Sequence, residues 1–502
     1  MDPKERAFPV AAWVSRAPGQ ALAAFLALHA LVWTVLPTLL YANLPLDLIE
    51  ALMYGREWQL GYDKLPPLPW WLVEVAYLVT GHDWSYYLLA EISVCAAFAV
   101  VYMAARPLIG GAGALIAVLI LDGLHYVNYT AAKFNHDVIQ LPFWALAGFA
   151  LHRALRERRT SDWLLLGLAV GMSLWAKYFV VVLVAPMVVM ALVDRDARKC
   201  LATPGPYIAI AVALVVTAPH VIWLFRTDFL PFAYAEHRAV LSRGWYDHLW
   251  HPFEFGISQL FFLIPSLLIA GPLFIPKRDL SEPRAVLAAD AFDVRIVTWL
   301  AFGPVVTVLL MGVVSGRGAV AMWGYPLWLF LGVWLVMVAQ RRLELPRLSR
   351  ILLTWAIVFA CLALAFVANY DILPRFDHRY RAVFFPGGTL GRDITRDWHA
   401  RFGTPLKYVI GTMWDGGNVA HYSPDQPRVL VDGNPARAPW IDLNDLRRRG
   451  AVVVWTDGDR HQVPAELREM APNAQVQAPI DLHYRHSTKP LQAGWAIVPP
   501  QK

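Results

Sequence analysis

Long apolar runs recur along the first 370 residues and constrain the fold of this chain more than any other feature. A helix that crosses a lipid bilayer needs about 20 mostly apolar residues. Of the whole chain, 57% is hydrophobic and only 16% is charged. The sequence therefore predicts an all-α polytopic membrane protein with eleven spans. These spans are expected at residues 21–42, 84–105, 108–124, 136–152, 162–176, 178–193, 204–225, 256–275, 293–314, 319–339 and 350–369.

The charged connectors predict how the spans are oriented. Lys and Arg collect in the cytoplasmic connectors of membrane proteins. If the N-terminus is cytoplasmic, all the longer cytoplasmic connectors are basic: 152–162, 194–199, 276–284 and 340–350. An odd number of spans then places the C-terminus on the outer side. These connectors account for the net charge of +6, so the charge does not predict nucleic-acid binding. The N-terminal segment lacks a signal-cleavage pattern, and we expect the first span to stay as an anchor.

The composition changes after Tyr370 and predicts a second domain. Residues 371–502 contain many charges, glycines and prolines and no apolar run long enough to span a membrane. Three short apolar segments are typical of strands: residues 406–413, 427–433 and 451–458. A helical pattern at 443–449 ends at Gly450. We predict a transmembrane catalytic domain at 1–370 and a soluble α/β domain at 371–502, which serves either as a structural cap or to hold the acceptor.

The connector after the first span, residues 43–83, is unusually rich in acidic and aromatic residues. Residues 46–60 have a helical pattern, and Asp47 and Glu50 lie three residues apart on it, so they share one face. Residues 68–80 predict a helix that lies in the membrane interface, because its aromatic side chains suit the headgroup layer. Acids placed at the membrane surface indicate chemistry on a molecule that arrives through the membrane.

Other polar side chains occur in connectors on the same predicted side, where they are costly to keep beside lipid. Further candidates are Tyr62, Asp63, Lys64, Lys133, His136, Asp137, Lys177, Glu236, His237 and Arg238. A carboxylate can take a proton from an acceptor hydroxyl, and Lys and Arg bind phosphate. This combination is what transfer from a lipid-linked phosphate needs.

Several of these residues also have a purely structural interpretation. Asp47 and Asp137 could cap the helices that follow them, and Lys64 could be a solvated lysine that reaches the interface. Lys177 lies between two apolar segments, where a lysine without a function is costly. The cysteines show no metal-ligand spacing. The histidines at 237, 248 and 251 could bind a metal, but their spacing matches no strong ligand motif, so surface or hydrogen-bonding roles are favoured.

Two classes of protein other than an enzyme also fit a polytopic chain. A transporter or lipid flippase would contain many spans and charges, although no internal repeat is evident. A non-catalytic envelope scaffold would not need so many acids, lysines and aromatic residues in its first loop. The sequence lacks both the G-x-x-x-x-G-K-[ST] motif and a G-x-G-x-x-G motif after a strand, so a nucleotide-driven pump and a nucleotide-sugar domain are not predicted.

The order of the charged motifs resembles a known family. Asp47 is followed about fourteen residues later by Gly-Tyr-Asp-Lys-Leu-Pro-Pro-Leu at residues 61–68. Asp137 then opens the fourth span, Lys177 follows a Gly-rich span, and the pair 236–237 is Glu-His. Over roughly residues 20–340 the chain resembles the polytopic GT-C glycosyltransferases, specifically the Rgt-like branch of the protein-mannosyltransferase and aminoarabinose-transferase superfamily. That branch includes lipid A and core galacturonosyltransferases.

This resemblance implies the GT-C fold and an inverting transfer of a sugar from polyprenyl phosphate. Asp47 would deprotonate the acceptor hydroxyl, and Lys64, Lys177 and Arg238 would bind the donor phosphate. Contacts with the acceptor or a metal are implied for Glu50, Asp63 and Asp137. The family requires no cofactor and is compatible with a divalent cation. The implied partners are the lipid-linked donor, membrane lipids and an acceptor (lipid A, core oligosaccharide, another glycolipid, polysaccharide or protein) at a bacterial inner membrane.

Two departures from the family pattern affect the site. Many relatives have adjacent Asp and Glu in the first loop, whereas Leu48 follows Asp47 here. Relatives often place the lysine directly before the two prolines, whereas Leu65 separates Lys64 from them. The base is therefore expected at Asp47, and the set of phosphate contacts is left open.

Overall fold

The computed structural model describes residues 3–232, 242–275, 288–487 and 490–501. The chain divides into two compact units. The first unit consists of Met1–Leu36, Lys64–Pro66 and Tyr87–Phe366, and the second consists of Pro37–Asp63, Pro67–Tyr86 and Val367–Lys502. The second unit thus contains the C-terminal part of the chain together with most of the loop after the first predicted span.

The first unit is built from α-helices, as the apolar runs predict. Its helices are Pro3–Ala7, Pro9–Arg16, Pro18–Leu40, Trp84–Leu121, His136–Glu157, Thr160–Ala176, Val181–Val193, Gly205–Arg226, Asp247–Phe274, Ala291–Ser315, Leu331–Ala339 and Leu345–Val367. Short 3₁₀-helices connect some of them: His125–Val127, Ala131–Lys133, Tyr178–Val180, Ala197–Ala202 and Ala321–Gly324.

Seven helices in the described part of the chain are long and apolar enough to cross a membrane. The stretch Trp84–Leu121, 38 residues long, consists of two helices that meet at a kink at Gly110, in agreement with the separate predicted spans 84–105 and 108–124. Pro107 and Gly110 interrupt it, because proline removes a hydrogen-bond donor and Gly110 adopts a φ of 73°. The helices Thr160–Ala176 and Val181–Val193 are shorter than 18 residues. The count of eleven spans stays a prediction.

The predicted span at 319–339 is not one continuous helix. A 3₁₀-helix at Ala321–Gly324 and turns precede the α-helix Leu331–Ala339, which has 9 residues. Pro326 cannot donate a helical hydrogen bond, and a Cβ on Gly324 would collide with the side chain of Gln259. Apolar composition does not reveal this close packing, which is why the sequence predicted an uninterrupted span.

The second unit contains a mixed β-sheet. Its strands are β1 Tyr408–Gly411, β2 Arg428–Val431, β3 Ala451–Trp455, β4 Gln475–Val476, β5 Ile480–Leu482 and β6 Leu491–Val498. The strand order is β2-β1-β3-β6-β4, and β5 pairs with β6. Strand β1 is parallel to β2 and β3, whereas β6 is antiparallel to β3, with Val453 opposite Ala496. Strands β1 to β3 confirm the three predicted strand segments.

The second unit also contains α-helices. Some of them cover the two faces of the sheet, and two belong to the first loop. The helices are Leu46–Gly55, Leu68–Thr80, Pro374–Asp377, Gly387–Phe402, Met413–Tyr422, Leu443–Arg449 and Ala465–Arg468. One core contains Ile410 and Leu446, and the opposite core contains Val409 and Trp398. The first-loop helix ends at Gly55, earlier than the predicted residue 60, and a turn follows at residues 56–57. Gly55 packs so closely that a Cβ would collide with the carbonyl oxygen of Trp70.

Candidate functional site

The Leu46–Gly55 helix in the second unit carries the predicted base. Pro45 is the N-cap of this helix and makes no side-chain cap, and Asp47 lies in the first turn. A carboxylate in this position is stabilised by the positive end of the helix dipole. Glu50 lies almost one turn further on and is buried, and the three-residue spacing places both carboxylates on one face of the helix.

Asp63 and Tyr62 are fixed by hydrogen bonds within the second unit. The two carboxylate oxygens of Asp63 accept hydrogen bonds from the Tyr54 hydroxyl at 2.7 Å and from Arg437 Nε at 2.6 Å. The Tyr62 hydroxyl donates to the Tyr54 carbonyl at 2.7 Å and accepts from the Gln59 amide at 3.1 Å. These contacts give Asp63 a structural partner, and its role as an acceptor or metal contact stays a prediction.

Aromatic rings surround the Asp63–Arg437 ion pair. The rings of Tyr54 and Tyr62 lie 5.0 Å apart, and further contacts involve Trp70 and Trp440. Burial raises the pKa of Tyr54, and the charge of Asp63 raises it further. Burial lowers the pKa of Arg437, but the charge and hydrogen bond of Asp63, together with the charge of Asp432 and Tyr54, outweigh burial and the net shift is upward. The Arg437 guanidinium is therefore held in its charged form inside an aromatic shell.

A second ion pair fixes the end of the same first-loop helix. Arg428 Nε lies 3.0 Å and 3.1 Å from the two carboxylate oxygens of Glu57. Arg56 Nη1 donates to the Gln426 carbonyl at 3.3 Å, and a Cβ on Gly417 would lie 2.6 Å from the Ile49 side chain. The C-terminal part of the chain therefore holds the first loop by charge, hydrogen bonds and close packing.

In the first unit, the segment Lys64–Pro66 contacts the start of the His136–Glu157 helix. His136 Nε2 lies 3.3 Å from the Pro66 carbonyl oxygen, within hydrogen-bond distance. Asn135 caps this helix, since its Oδ1 accepts two backbone N–H groups at 3.0 Å and 3.3 Å. Asp137 is therefore not the N-cap, and its side chain engages other partners.

Asp137 pairs with Lys177. Lys177 Nζ lies 2.5 Å from Asp137 Oδ1, and Gln140 Nε2 donates to the same oxygen at 2.9 Å. The side chains of Lys177 and Asp137 are only 11% and 10% exposed. The ammonium also lies 5.5 Å from the Phe179 ring and 6.0 Å from the Trp323 ring, where the π faces attract a cation. This arrangement gives the lysine an ion-pair partner and two aromatic contacts in an otherwise apolar setting.

Lys133 lies in a strained connector of the same unit. It ends the 3₁₀-helix Ala131–Lys133, and the next residue, Phe134, is buried with a φ of 29°. Residues in such sparsely populated backbone conformations are often found at functional sites. Burial lowers the pKa of His125 to about 4, and the charge of Lys133 contributes. The ring of His125 stacks on Phe262 at 4.2 Å.

The structure groups the predicted residues by unit. The first unit contains Lys64, Lys133, His136, Asp137 and Lys177, and the second contains Asp47, Glu50, Tyr62 and Asp63. Glu236, His237 and Arg238 lie outside the described residues. Within the described ranges, no group of three His, Cys, Asp or Glu side chains is arranged to hold a metal ion.

Sequence reasoning missed three partners of these residues. Gln140 follows Asp137 by three positions on a helix, and that spacing could have identified it. Arg437 is 374 positions from Asp63, and Arg428 is 371 positions from Glu57. No local pattern in a single sequence connects residues so far apart.

Comparison with known proteins gives related sequences and folds. Residues 64–223 match the dolichyl-phosphate-mannose-protein mannosyltransferase family. The chain is 25% identical over 453 residues to the lipopolysaccharide core galacturonosyltransferase RgtA of Rhizobium johnstonii, covering 87% of this chain and 86% of RgtA. It is 26% identical over 303 residues to the lipid A galacturonosyltransferase RgtD of the same organism, covering 58% of this chain and 60% of RgtD.

Two solved structures share the fold. The apo crystal structure of ArnT from Cupriavidus metallidurans superposes with a TM-score of 0.62 at 15% identity, covering 97% of this chain and 100% of ArnT. The structure of ArnT bound to undecaprenyl phosphate gives a TM-score of 0.60 at 18% identity, covering 96% and 99%. The overall architecture is therefore the GT-C fold of a polytopic membrane protein with a small domain that contains a β-sheet.

Proposed function

We propose, from the premise that this chain belongs to the Rgt-like branch of the GT-C glycosyltransferases, that it is an inverting glycosyltransferase. It transfers a sugar from a polyprenyl-phosphate donor to an acceptor of the cell envelope. The observation that carries this proposal is the buried pair of Lys177 and Asp137, 2.5 Å apart. A charged lysine kept inside an apolar helical unit is costly, and such residues usually mark a functional site. A phosphate-bearing lipid donor is the substrate that such a cation suits.

In the proposed reaction, Asp47 is the general base. Its carboxylate takes the proton from an acceptor hydroxyl while the hydroxyl oxygen attacks the anomeric carbon. The bond between that carbon and the phosphate oxygen breaks, the configuration inverts, and polyprenyl phosphate leaves. The position of Asp47 in the first turn of the Leu46–Gly55 helix supports this role, because the positive end of a helix dipole favours a negative charge there.

The leaving phosphate is stabilised by cations in this proposal. Lys64 and Lys177 of the first unit are the main candidates, and Arg238 is a third. Asp137 and Gln140 orient the Lys177 side chain, so that the ammonium is positioned before the donor binds. The lysines can balance the charge of the phosphate, so the scheme does not require a divalent cation, although it is compatible with one.

The relatives indicate which sugar and which acceptors should be tested first. RgtA and RgtD are core and lipid A galacturonosyltransferases, so galacturonic acid is the donor sugar to test first. Lipid A and core oligosaccharide are the corresponding acceptors. The basic connectors 152–162 and 340–350 support a cytoplasmic N-terminus, which would place the C-terminal α/β domain on the periplasmic side of a bacterial inner membrane.

Mass spectrometry of envelope glycolipids tests this function. A strain that lacks the gene is complemented with wild type, Asp47→Asn or Asp83→Asn at equal membrane levels. Asp83 is a matched control, because it lies in the same loop with a half-exposed side chain. Wild type and Asp83→Asn should restore a sugar-sized mass increment that Asp47→Asn does not. Restoration by Asp47→Asn would remove Asp47 as the base, and failure of wild type to change any glycolipid or glycoprotein would favour a transporter.

A further inference from the structure

A basic and apolar segment follows the last candidate span and has no role in the proposed reaction. The helical stretch Leu345–Asp377 has 33 residues, which is about 50 Å at 1.5 Å per residue. The hydrocarbon core of a bilayer is only about 30 Å thick. No charged residue occurs between Arg350 and Asp371, and those intervening residues suffice to cross the core. The turns after Asp371 therefore extend into the headgroup layer.

The end of another candidate span lies at the same place in the second unit. The helix Pro18–Leu40 ends there, and the ring of Tyr41 contacts that of Tyr370 at 4.9 Å. Arg485 Nη1 donates a hydrogen bond to the Leu40 carbonyl at 3.1 Å. Two spans therefore end beside this segment, which independently indicates the depth of the membrane surface.

The segment exposes large apolar side chains. Phe376 is 77% exposed, and Ile372 and Leu373 are each about half exposed. Tyr380, which has a polar hydroxyl on an apolar ring, is also about half exposed. Apolar and amphipathic side chains on a helix at this depth are typical of elements that lie in the interface.

Basic side chains flank these apolar ones. Four arginines, at positions 375, 379, 381 and 485, outnumber the two aspartates at 371 and 377, which leaves a local charge of +2. Arg375 Nη2 donates to both carboxylate oxygens of Asp371, at 2.9 Å and 2.8 Å, and Arg485 Nη2 lies 3.5 Å from the same carboxylate. The side chain of Arg379 is exposed and has no ion pair within the described residues. Burial lowers the pKa of His486, and neighbouring Arg485 and Arg375 lower it further.

We propose that this juxtamembrane patch (Ile372, Arg375, Phe376, Arg379 and Arg485) is a docking surface for the phosphates of anionic membrane phospholipids. Phe376 and Ile372 insert among the acyl chains, and the guanidinium groups bind headgroup phosphates at the same depth. The patch would thereby fix the height of the second unit against the bilayer. This proposal does not depend on sugar transfer.

Charge complementarity and depth favour a lipid over another occupant. The helix Leu443–Arg449 provides a comparison within the same unit, since it also carries consecutive arginines at 447 to 449. Among its described residues there is no large exposed apolar side chain, whereas pairing of arginines with an aspartate occurs in both places. The juxtamembrane patch differs because it combines exposed basic and apolar side chains directly after a candidate span.

Photo-crosslinking tests the proposal on the full-length protein. Wild type, Arg379→Gln and the double variant Arg375→Gln/Arg379→Gln are placed in nanodiscs of phosphatidylcholine and phosphatidylglycerol in equal parts. A photoreactive group on the phosphatidylglycerol headgroup labels nearby peptides, which are mapped by mass spectrometry. The matched control is Arg447→Gln/Arg448→Gln, which removes the same charge from the other basic helix.

We expect the wild-type label on the peptide that contains residues 376–379. Labelling should fall about fivefold in Arg379→Gln and roughly twentyfold in the double variant, and high salt should weaken it. The control variant should label like wild type. Arg379→Gln breaks no ion pair within the described part of the chain, so it keeps the test valid if the double variant misfolds. Equal labelling by a phosphatidylcholine probe, unchanged labelling in Arg379→Gln, or displacement by inorganic phosphate would overturn the proposal.

Discussion

Arg437 Nε lies 2.6 Å from Asp63 Oδ2, although the two residues are 374 positions apart in the chain. Asp63 belongs to the Gly-Tyr-Asp-Lys motif of the first loop, and Arg437 follows strand β2 of the C-terminal sheet. Within the second unit, this ion pair connects the candidate catalytic loop with the C-terminal domain. The C-terminal domain is thus a structural support for the loop that carries Asp47.

Breaking this pair should destabilise the loop. Arg437→Gln leaves the buried Asp63 carboxylate without its cation, and breaking fully buried pairs costs about 3–5 kcal/mol. Because the Arg437 side chain is 25% exposed, we expect about 2 kcal/mol. A thermal-unfolding cycle with Asp63→Asn and the double variant should give a coupling of about 1–3 kcal/mol. Additive effects, or an equal loss in the surface control Arg448→Gln, would contradict this expectation.

Removing the charge of Lys177 should impair catalysis more than folding. Lys177→Gln should lower kcat/KM for the lipid-linked donor by about 10²–10³, the usual effect of losing one electrostatic stabiliser. Asp137→Asn should cause a smaller loss, because Asp137 only orients the Lys177 side chain, whereas the Lys177 ammonium is the group that binds the phosphate. Lys199→Gln is the matched control, since Lys199 pairs with Asp196 on the surface. A wild-type kcat/KM in folded Lys177→Gln would remove this lysine from the site.

The first unit contains a buried charged cluster outside the candidate site. The two ring nitrogens of His29 lie 3.0 Å from Glu91 and 2.9 Å from Asp122, and Trp355 donates to Asp122 at 2.7 Å. All three charged residues are inaccessible to solvent. His29→Leu leaves two buried carboxylates uncompensated, so we expect a loss of about 3–5 kcal/mol in stability. Thermal unfolding in detergent would measure it, with the exposed His82→Leu as control; an unchanged unfolding temperature would contradict the expectation.

Stability should also depend on pH through His125. Its pKa is lowered to about 4 by burial, below the ordinary value of about 6.5. As the pH falls, the unfolded chain therefore takes up the proton before the folded protein does. The contribution of neutral His125 to the free energy of unfolding is complete above pH 6.5 and is lost as pH falls towards 4. His125→Phe keeps the ring stacking on Phe262 and should remove roughly 2 kcal/mol of the destabilisation at pH 5. Unfolding temperatures at pH 7.5 and pH 5 measure this effect. An equal fall in unfolding temperature between these pH values in wild type and in His125→Phe would contradict it.

The sequence predicted those features that local patterns encode. Apolar length predicted the helical fold, short apolar segments predicted strands β1 to β3, and Gly450 was correctly identified as a helix end. The helix Leu68–Thr80 was predicted with its bounds, since Gly81 adopts the left-handed conformation that ends it. Such signals act over a few residues and are readable in a single sequence.

Features that depend on tertiary packing were not predictable. The turns before Leu331–Ala339 lie where Gln259 packs closely against Gly324, and composition does not reveal this contact. At the candidate site, Asp137 and Lys177 were each selected from the sequence, but their pairing across 40 positions was not predicted. Arg437 and Arg428 lie further still from their partners, in a domain whose own sequence shows only an ordinary α/β pattern.

The most direct test of the account is sugar transfer by the purified protein in nanodiscs. Polyprenyl-phosphate galacturonate and lipid A are supplied, and products are followed by mass spectrometry for wild type, Asp47→Asn and Asp83→Asn. We predict that wild type and Asp83→Asn release polyprenyl phosphate and add one galacturonosyl mass to the acceptor with inverted configuration, whereas Asp47→Asn does neither. Equal transfer by Asp47→Asn, or retention of configuration, would contradict the proposed mechanism.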